Sequence, residues 1–331
     1  MTPGSRRGPA AVVSGVGSAL PAQVVPNADL SVRLDTTDEW IRARTGITRR
    51  HVAAADETTT DLAVQASAQA LTGHPAGVEA LVVATTTPDR TCPATAPTVA
   101  TRLGLTGIAA VDLAAGCSGF LYGLATAAGL IATGTAGSVL VVGADRLASL
   151  PDPEDRTTVP LFGDGAGAVV LRCGSADELG ALRPVVLGSD GRGADLITAS
   201  HPGALRMEGA AVFRHAVDRM AAASLQAATA AGWELSDVDR LVPHQANSRI
   251  TTFVARQLGV PYGRQLSNVA DVGNTGAASI PLLLAGAAAD GRLKPGHRTL
   301  LTAFGAGLTW GAVALTWPDL PHTLTPERGR P

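Results

Sequence analysis

The sequence predicts an α/β fold of two duplicated halves, with largely parallel sheets packed face to face. Strand–helix units recur in the same order along both parts of the chain. The segment LFGDGAGAVVL at 161–171 resembles AFGAGLTWGAVAL at 303–315, and the strand-to-helix elbow at Cys117 has a counterpart at Asn274. These observations divide the chain into an N-terminal half, residues 1–178, and a C-terminal half, residues 179–331.

In the first half, hydrophobic periodicity and capping residues predict the elements. Thr37 is placed to cap a helix, since the acidic Asp38 and Glu39 follow in its first turn. A buried strand precedes Gly116, and apolar residues recur at helical spacing from Gly119 onward. The other predicted elements are a strand at 11–16, a helix at 58–71, a strand at 80–85, a helix at 93–103, a strand at 139–142 and a glycine-interrupted apolar run at 161–171.

The second half repeats this alternation of helices and strands. The glycine-rich turn around Asn274 is predicted to join a strand to the last helix. The predicted elements are helices at 209–231, 248–258 and 277–289, strands at 240–242, 265–269 and 299–303, and a hairpin that continues to Thr316.

The composition is that of a globular protein and excludes several functional classes. With 331 residues, 46% of them hydrophobic, the chain can bury a large core, and its net charge of −2 gives no reason to expect nucleic acid as a partner. Three cysteines at irregular spacing support neither a disulfide framework nor a zinc site, so we expect no metal and a cytoplasmic location. The N-terminus lacks a signal peptide's apolar segment, and glycines interrupt the uncharged stretch between Asp112 and Asp145, so no membrane partner is expected.

Cys117 lies at the joint between a strand and a helix N-terminus. Unpaired N–H groups and the positive end of the helix dipole favour a thiolate there. Gly116 and Gly119 leave room for a substrate carbonyl beside the sulfur. This placement indicates a nucleophile, the alternative being an ordinary buried cysteine that packs as a small hydrophobic residue.

Two further polar residues, His244 and Asn274, follow predicted buried strands, where α/β proteins place their sites. Taken singly, His244 is equally well explained as a hydrogen-bonded structural residue, and Asn274 as a turn residue or helix cap. Together with Cys117 they form a more specific pattern. A thiolate accepts an acyl group, and two neutral donors can stabilise an enolate oxygen.

Six segments of this sequence resemble the signature segments of the β-ketoacyl-acyl-carrier-protein synthase III family of the thiolase superfamily. They are DTTDEWIRARTGI at 35–47, AAGCSGF at 114–120, LFGDGAGAVVL at 161–171, LVPHQANSRI at 241–250, GNTGAAS at 273–279 and FGAGLTWG at 304–311. They occur in the family's order and cover nearly the whole chain. The resemblance implies a thiolase fold, whose two α/β halves have central mixed sheets packed in an α-β-α-β-α arrangement. It also implies a homodimer that needs no cofactor, with a coenzyme A thioester as substrate.

The family's reaction implies a role for each of the three polar residues. Cys117 would take an acyl group from acyl-coenzyme A. Malonyl-acyl carrier protein would then lose carbon dioxide, and His244 and Asn274 would hold the resulting enolate. Attack of the enolate carbon on the Cys117 thioester would give a 3-oxoacyl carrier protein.

The resemblance also implies the groups that support this reaction. Backbone N–H groups of Cys117 and of the turn formed by Gly305, Ala306 and Gly307 would make the oxyanion hole. Ala306 stands where the family commonly has glycine, so the turn must accept a Cβ atom there. Phe304 would pack beside the histidine and the asparagine and keep water out.

Binding residues for coenzyme A follow from the same correspondence. Trp40 and Arg156 would sandwich the adenine, Arg44 would contact the phosphates, and Asn247 and Gly209 would line the pantetheine channel. Without the resemblance, an exposed amphipathic helix and a surface ion pair would explain the aromatic and basic residues of this group.

The resemblance also implies residues for an acyl pocket and for a surface that docks the carrier protein. The pocket residues would be Cys92, Leu147, Phe162, Met207 and Phe213. Cys92 falls in a loop that reaches across the family's dimer, and its small side chain suggests a primer larger than acetyl. Arg249 and Arg256 lie on one helix face, which could dock an acidic carrier protein or be simply a solvated basic face.

Two alternatives remain open at this stage. An acyltransferase of the same fold would move the acyl group to a hydroxyl or a carrier thiol without decarboxylation. A non-catalytic thiolase-fold partner would act as a scaffold. Retention of Cys117 opposes the scaffold, and retention of Asn274 opposes simple transfer, which has no need for two enolate donors. Whether the pathway makes fatty acids or polyketides is not decided by these residues.

Overall fold

The computed structural model describes residues 9–73, 77–199 and 204–320. Its strands are β1 (Ala10–Ala19), β2 (Gln23–Pro26), β3 (Arg49–Val52), β4 (Ala80–Ala84), β5 (Ala109–Leu113), β6 (Ser138–Arg146), β7 (Asp164–Gly174), β8 (Val186–Ser189), β9 (Ile197–Thr198), β10 (Arg206–Met207), β11 (Arg240–Pro243), β12 (Arg298–Gly305) and β13 (Thr309–Thr316). Its helices are α1 (Asn27–Arg33), α2 (Asp38–Thr45), α3 (Thr59–Ala70), α4 (Thr95–Arg102), α5 (Gly119–Ala132), α6 (Gly209–Ala230), α7 (Ser248–Gln257), α8 (Val269–Val272) and α9 (Ser279–Ala289).

Each half contributes one mixed sheet. The first has the strand order β1-β7-β6-β4-β5, in which β4 runs parallel to β5 and β6 while β7 runs antiparallel to β1 and β6. The second has the order β11-β12-β13-β8, in which only β11 and β12 are parallel. The prediction of largely parallel sheets is therefore wrong, whereas mixed sheets are confirmed. A short hairpin joins β12 to β13, and such a connection forces antiparallel pairing.

Five layers stack in the order α-β-α-β-α. Helices α3 and α4 pack on the outer face of the first sheet, and α6 and α7 on the outer face of the second. Helices α5 and α9 lie between the two sheets in a shared core. These two helices carry no charged residue, and most of their side chains pack into the core between the sheets.

Glycines in the first sheet let α9 approach the strands closely. A Cβ atom placed on Gly143 of β6 would lie 2.2 Å from the carbonyl oxygen of Ala277, in the turn that leads into α9. One placed on Gly167 of β7 would lie 2.6 Å from the backbone nitrogen of Leu282. This close packing draws the Asn274 turn toward the end of the first sheet, where Cys117 lies.

Several elements differ from the sequence prediction. Instead of a strand at 265–269, the chain makes a single bridge between Gln265 and Leu241 and then enters the short helix α8. The strand before Gly116 is β5, an edge strand whose Val111 is 51% exposed rather than buried. The proposed boundary after residue 178 falls between β7 and β8 and stays a prediction. Within the described ranges, no helix is both long enough and apolar enough to cross a membrane.

Candidate active site

The elbow between β5 and α5 positions Cys117. A 3₁₀ turn at Gly116–Ser118 precedes α5, and Gly116 has a φ of 52°, a conformation that favours glycine. Cys117 as a residue is half-buried, but its thiol is enclosed by protein. Burial and, secondarily, the Asp145 carboxylate raise the pKa of Cys117 to about 12. The pKa of Cys117 thus shifts in the direction opposite to the one that the elbow predicted, because burial removes the thiolate from water.

Asp145, at the end of β6, connects the first sheet to the turn before α9. Its carboxylate accepts hydrogen bonds from the backbone N–H of Thr86 at 2.7 Å and of Ala277 at 2.8 Å, and it is fully buried. Burial raises the pKa of this carboxyl group. No role was predicted for Asp145, although a carboxylate at the end of a long apolar strand was a usable signal.

His244 follows β11 directly and is 3% exposed. Its backbone N–H donates to the carbonyl of Thr302 in the neighbouring strand β12 at 2.8 Å, and its Nδ1 lies 2.6 Å from the Ser279 hydroxyl. Burial lowers the pKa of His244 to about 3. The imidazole is therefore neutral at physiological pH, as predicted for a donor that stabilises an enolate.

Asn274 is held by the backbone of the opposite half. Its N–H donates to the Leu161 carbonyl at 2.8 Å, and its carbonyl accepts from the Gly163 N–H at 3.0 Å. The side-chain Oδ1 accepts from the Gly276 N–H at 3.0 Å. Because Oδ1 is occupied, the amide is oriented with Nδ2 as its available donor.

The turn after β12 rests against the nucleophile. A Cβ atom on Gly305 would lie 2.6 Å from the Cys117 backbone nitrogen, and one on Gly116 would lie 2.8 Å from that of Ala306. The turn accepts the Cβ of Ala306 because the positive φ falls on Gly307, at 132°, rather than on residue 306. The backbones of the two turns are thus in close contact, which an oxyanion hole built from their N–H groups requires.

A cavity of about 900 Å³ joins these groups. Cys117, His244 and Asn274 all line it, so the structure brings the three predicted catalytic residues together. The other predicted residues along its wall are Trp40, Arg44, Leu147, Phe162, Met207, Gly209, Phe213, Asn247, Arg249, Phe304, Gly305 and Ala306. Four predicted site residues are not part of this wall: Cys92, Arg156, Arg256 and Gly307.

The cavity mouth carries an aromatic and basic cluster. The Trp40 backbone N–H donates to Thr37, the cap of α2, and the guanidinium groups of Arg44 and Arg156 lie 5.5 and 5.1 Å from the Trp40 ring centroid. Arg156 also pairs with Asp35 at 2.7 Å. The predicted pair of Trp40 and Arg156 therefore exists, but in direct contact and with no space for a base between them.

Helix α7 presents its basic residues beside the mouth. The guanidinium of Arg249 lies 5.6 Å from the ring centroid of Phe213, and that of Arg256 lies 5.3 Å from that of Phe253. The two phenylalanine rings meet edge to face, with centroids 5.4 Å apart. Only Arg249 reaches the cavity, and both arginines are exposed.

Comparison with known proteins identifies the family. The profile of 3-oxoacyl-[acyl-carrier-protein (ACP)] synthase III matches residues 111–191, and that of its C-terminal part matches residues 228–317. Beta-ketoacyl-[acyl-carrier-protein] synthase III 3 of Streptomyces coelicolor is 55% identical over 327 residues, which cover 93% of this chain and 98% of the relative. The chain belongs to the 3-oxoacyl-[acyl-carrier-protein] synthase III family.

Solved structures agree with this assignment. The 3-oxoacyl-(acyl carrier protein) synthase III of Pseudomonas aeruginosa PAO1 superposes with a TM-score of 0.91 at 51% identity, covering 94% of this chain and 99% of its own. The priming beta-ketosynthase of the R1128 polyketide biosynthetic pathway gives a TM-score of 0.89 at 36% identity, covering 96% of this chain and 100% of its own. The layered halves are thus the thiolase fold, and this synthase III family member is an acyl-transferring, condensing enzyme.

Sequence reasoning missed several residues of this synthase III site. Leu205 packs with Leu147 and Phe162 in a small apolar cluster on the cavity wall, and Met220 reaches the wall from α6. Neither had a local signal, since any apolar residue on a core-facing segment has the same pattern. Ser279 ends the quoted segment GNTGAAS, but its contact with His244 joins residues 35 positions apart.

Proposed function

We propose that this protein transfers an acyl group from acyl-coenzyme A to Cys117 and condenses it with malonyl-acyl carrier protein, with loss of carbon dioxide. The observation that carries the proposal is the convergence of Cys117, His244 and Asn274 on one cavity of about 900 Å³. The product primes chain elongation in fatty-acid or polyketide synthesis.

In the first step, Cys117 attacks the thioester carbonyl of the acyl donor. The bond between Sγ and the acyl carbon forms, and the bond to the coenzyme A sulfur breaks. Because the resting Cys117 is a thiol, its proton must leave during the attack, and it ends on the coenzyme A thiol. The N–H groups of Cys117 and Ala306 hold the negative oxygen of the tetrahedral intermediate.

In the second step, the malonyl group loses its carboxylate as carbon dioxide and becomes an enolate. The neutral His244 ring and the Asn274 Nδ2 donate hydrogen bonds to the enolate oxygen. Phe304, 4% exposed on the cavity wall, gives the carboxylate an apolar neighbour in place of water. The enolate carbon then attacks the Cys117 thioester and forms the new carbon–carbon bond, the bond to the sulfur breaks, and the sulfur takes a proton from water.

The mouth cluster is proposed to bind coenzyme A. Adenine would insert between Trp40 and Arg156, which requires the arginine to move away from the ring it now contacts. Arg44 supplies a positive charge for the phosphates. Asn247 and Gly209 line the passage inward, and a Cβ atom on Gly209 would meet nothing within 4 Å, so this side of the passage is open.

The exposed arginines of α7 are proposed to dock the acidic carrier protein. Arg249 and Arg256 are held beside the mouth by their contacts with Phe213 and Phe253, so their charges are ordered before the partner arrives. Charge complementarity at this position would steer the malonyl arm toward the cavity.

A homodimer is proposed to form through the edge strand β5. Val111 is 51% exposed there, although it lies in the sheet that leads to the nucleophile. Cys92 is exposed in this chain, and its proposed place in the acyl pocket requires the partner subunit's cavity.

We propose a cytoplasmic location, because the three cysteines are free thiols. We also propose that the reaction needs no cofactor, because the thioester itself is reactive enough.

Acyl transfer without decarboxylation is less well supported. It would use Cys117 and the oxyanion N–H groups but would leave the donors of His244 and Asn274 without a role. No contact of these two residues favours a hydroxyl acceptor.

Mass spectrometry combined with a carbon dioxide assay tests the proposed reaction. We expect acyl-coenzyme A to label Cys117 and malonyl-acyl carrier protein to release carbon dioxide. In the Asn274→Ala variant, labelling of Cys117 should persist, and the rate of carbon dioxide release should fall by roughly 100-fold or more. Cys173→Ala, at an exposed cysteine far from the cavity, is the control and should behave as the wild type. Labelling of Cys92 or Cys173 alone, or no carbon dioxide release, would refute the proposal.

A further inference from the structure

Ser279 touches the catalytic histidine from behind. It is the first residue of α9, it is 1% exposed, and its Oγ lies 2.6 Å from Nδ1 of His244. Ser279 is not on the cavity wall, so it contacts no substrate. Any effect it has on the reaction must therefore pass through a neighbour, and of its two side-chain hydrogen-bond partners, His244 and Gln245, only His244 lines the cavity.

The hydroxyl proton of Ser279 has a single acceptor among the contacts of the described residues. The backbone N–H of Gln245 donates to Oγ at 3.3 Å, which leaves the serine O–H free to donate. Among the described residues, the acceptor that this O–H contacts is Nδ1 of His244. If Nδ1 carried a proton instead, both neighbours would donate to Oγ and the buried serine proton would have no partner.

The position of Oγ is itself fixed by a buried amide. The Gln245 side chain is fully buried, donates to the Pro243 carbonyl at 2.7 Å and accepts from the Ser267 hydroxyl at 2.8 Å. This pairing anchors the segment that follows β11 and presents the Gln245 N–H to the serine. Two elements of the C-terminal half, the end of β11 and the start of α9, thus set the hydroxyl orientation together.

We propose that Ser279 is a positioning residue that donates its proton to Nδ1 of His244 and thereby places the imidazole proton on Nε2, facing the substrate. The inference rests on the proposed condensation. An Nε2–H group donates to the enolate oxygen in the second step, whereas the opposite tautomer would present a lone pair to that oxygen and repel it. Acylation of Cys117 does not use this donor.

The test separates the two steps in the Ser279→Ala variant of the full-length protein. We expect carbon dioxide release and condensation to fall in kcat by roughly 10- to 100-fold, with KM for malonyl-acyl carrier protein and the acylation rate of Cys117 unchanged. Ser279→Thr keeps a hydroxyl and should recover activity. Ser67→Ala, which removes a buried hydroxyl without a recorded partner in α3, should match the wild type.

Nitrogen-15 NMR of histidine-labelled wild-type protein gives a readout that a merely structural serine would not provide. The His244 signals, assigned with His244→Gln, should show a proton on Nε2 and none on Nδ1. A proton on Nδ1, or full decarboxylation by a folded Ser279→Ala variant, would overturn the inference. Absence of wild-type carbon dioxide release would instead refute the proposed function on which it rests.

Discussion

At the scale of single residues, burial decides the protonation states of this site. Cys117 lies at a helix N-terminus, which lowers a thiol pKa, and yet burial raises it to about 12. His244 loses its charge for the same reason, since its pKa is lowered to about 3. Both groups are therefore neutral before substrate arrives, so the negative charge of an enolate or a tetrahedral intermediate is absent from them at rest.

The neutral His244 makes the stability of the protein depend on pH. Its folded pKa is depressed, so it contributes stability above the unfolded pKa of about 6.5, and this contribution is lost as pH falls toward about 3. Between about pH 7 and about pH 5 the loss should reach about 2 kcal/mol, because the unfolded chain binds a proton that the folded protein excludes.

Urea unfolding of the wild type and His244→Gln at both pH values measures this difference. The glutamine variant cannot titrate at this position. From about pH 7 to about pH 5, its free energy of unfolding should therefore decrease by about 2 kcal/mol less than that of the wild type. Equal pH dependence of the two proteins would show that His244 titrates normally in the folded state.

At the scale of elements, the approach of α9 to the first sheet sets the position of Asn274. We expect Gly143→Ala to reduce the free energy of unfolding by about 1–3 kcal/mol, because its Cβ would lie 2.2 Å from the Ala277 carbonyl and must displace the turn. Carbon dioxide release should fall more than Cys117 acylation, since the displaced turn carries Asn274.

Gly129→Ala is the matched control for this change. A Cβ atom there meets nothing within 4 Å, and Gly129 lies in the helix α5, so alanine should stabilise the protein by about 0.5–1 kcal/mol. Denaturant unfolding and the two partial reactions provide the measurements. An undisturbed Gly143→Ala variant would contradict the close packing between α9 and β6.

Local signals predicted most elements, and long-range contacts decided those that were missed. Thr37 caps α2, as the acidic residues after it indicate directly, and the helix predicted at 58–71 is α3, with Thr58 as its cap. The exposure of Val111 depends on β5 being last in the sheet, and the loss of the strand at 265–269 depends on how β11 is paired. The local sequence pattern predicts neither of these features, because both depend on how strands pair across the sheet.

In the active site, too, the local sequence predicted some features and long-range contacts decided others. Six collinear segments identified Cys117, His244 and Asn274, and the cavity brings them together. The thiol pKa, by contrast, depends on burial by distant residues and on Asp145, so the elbow alone predicted the wrong direction. Ser279 was within a quoted segment but could not be paired with a residue 35 positions away.

At the scale of the whole molecule, the open edge of β5 leads us to expect a dimer. Val111→Lys places a charge on the exposed edge strand and should convert the dimer to monomer at micromolar concentration. Val32→Lys changes a more exposed valine, at 89%, on the helix α1 and should leave the dimer intact. Sedimentation velocity distinguishes the species, and a monomeric wild type would contradict the proposed assembly.

The pairing of Asn274 with Leu161 and Gly163 joins the two halves at the reacting groups. The backbone of the N-terminal half, which holds Cys117, positions Asn274 of the C-terminal half. In the opposite direction, the Gly305 turn of the C-terminal half packs against Cys117. A substitution that shifts one half relative to the other should therefore misalign the reacting groups of both. Neither half holds a complete set of these groups, because Cys117 lies in one half and His244 and Asn274 lie in the other.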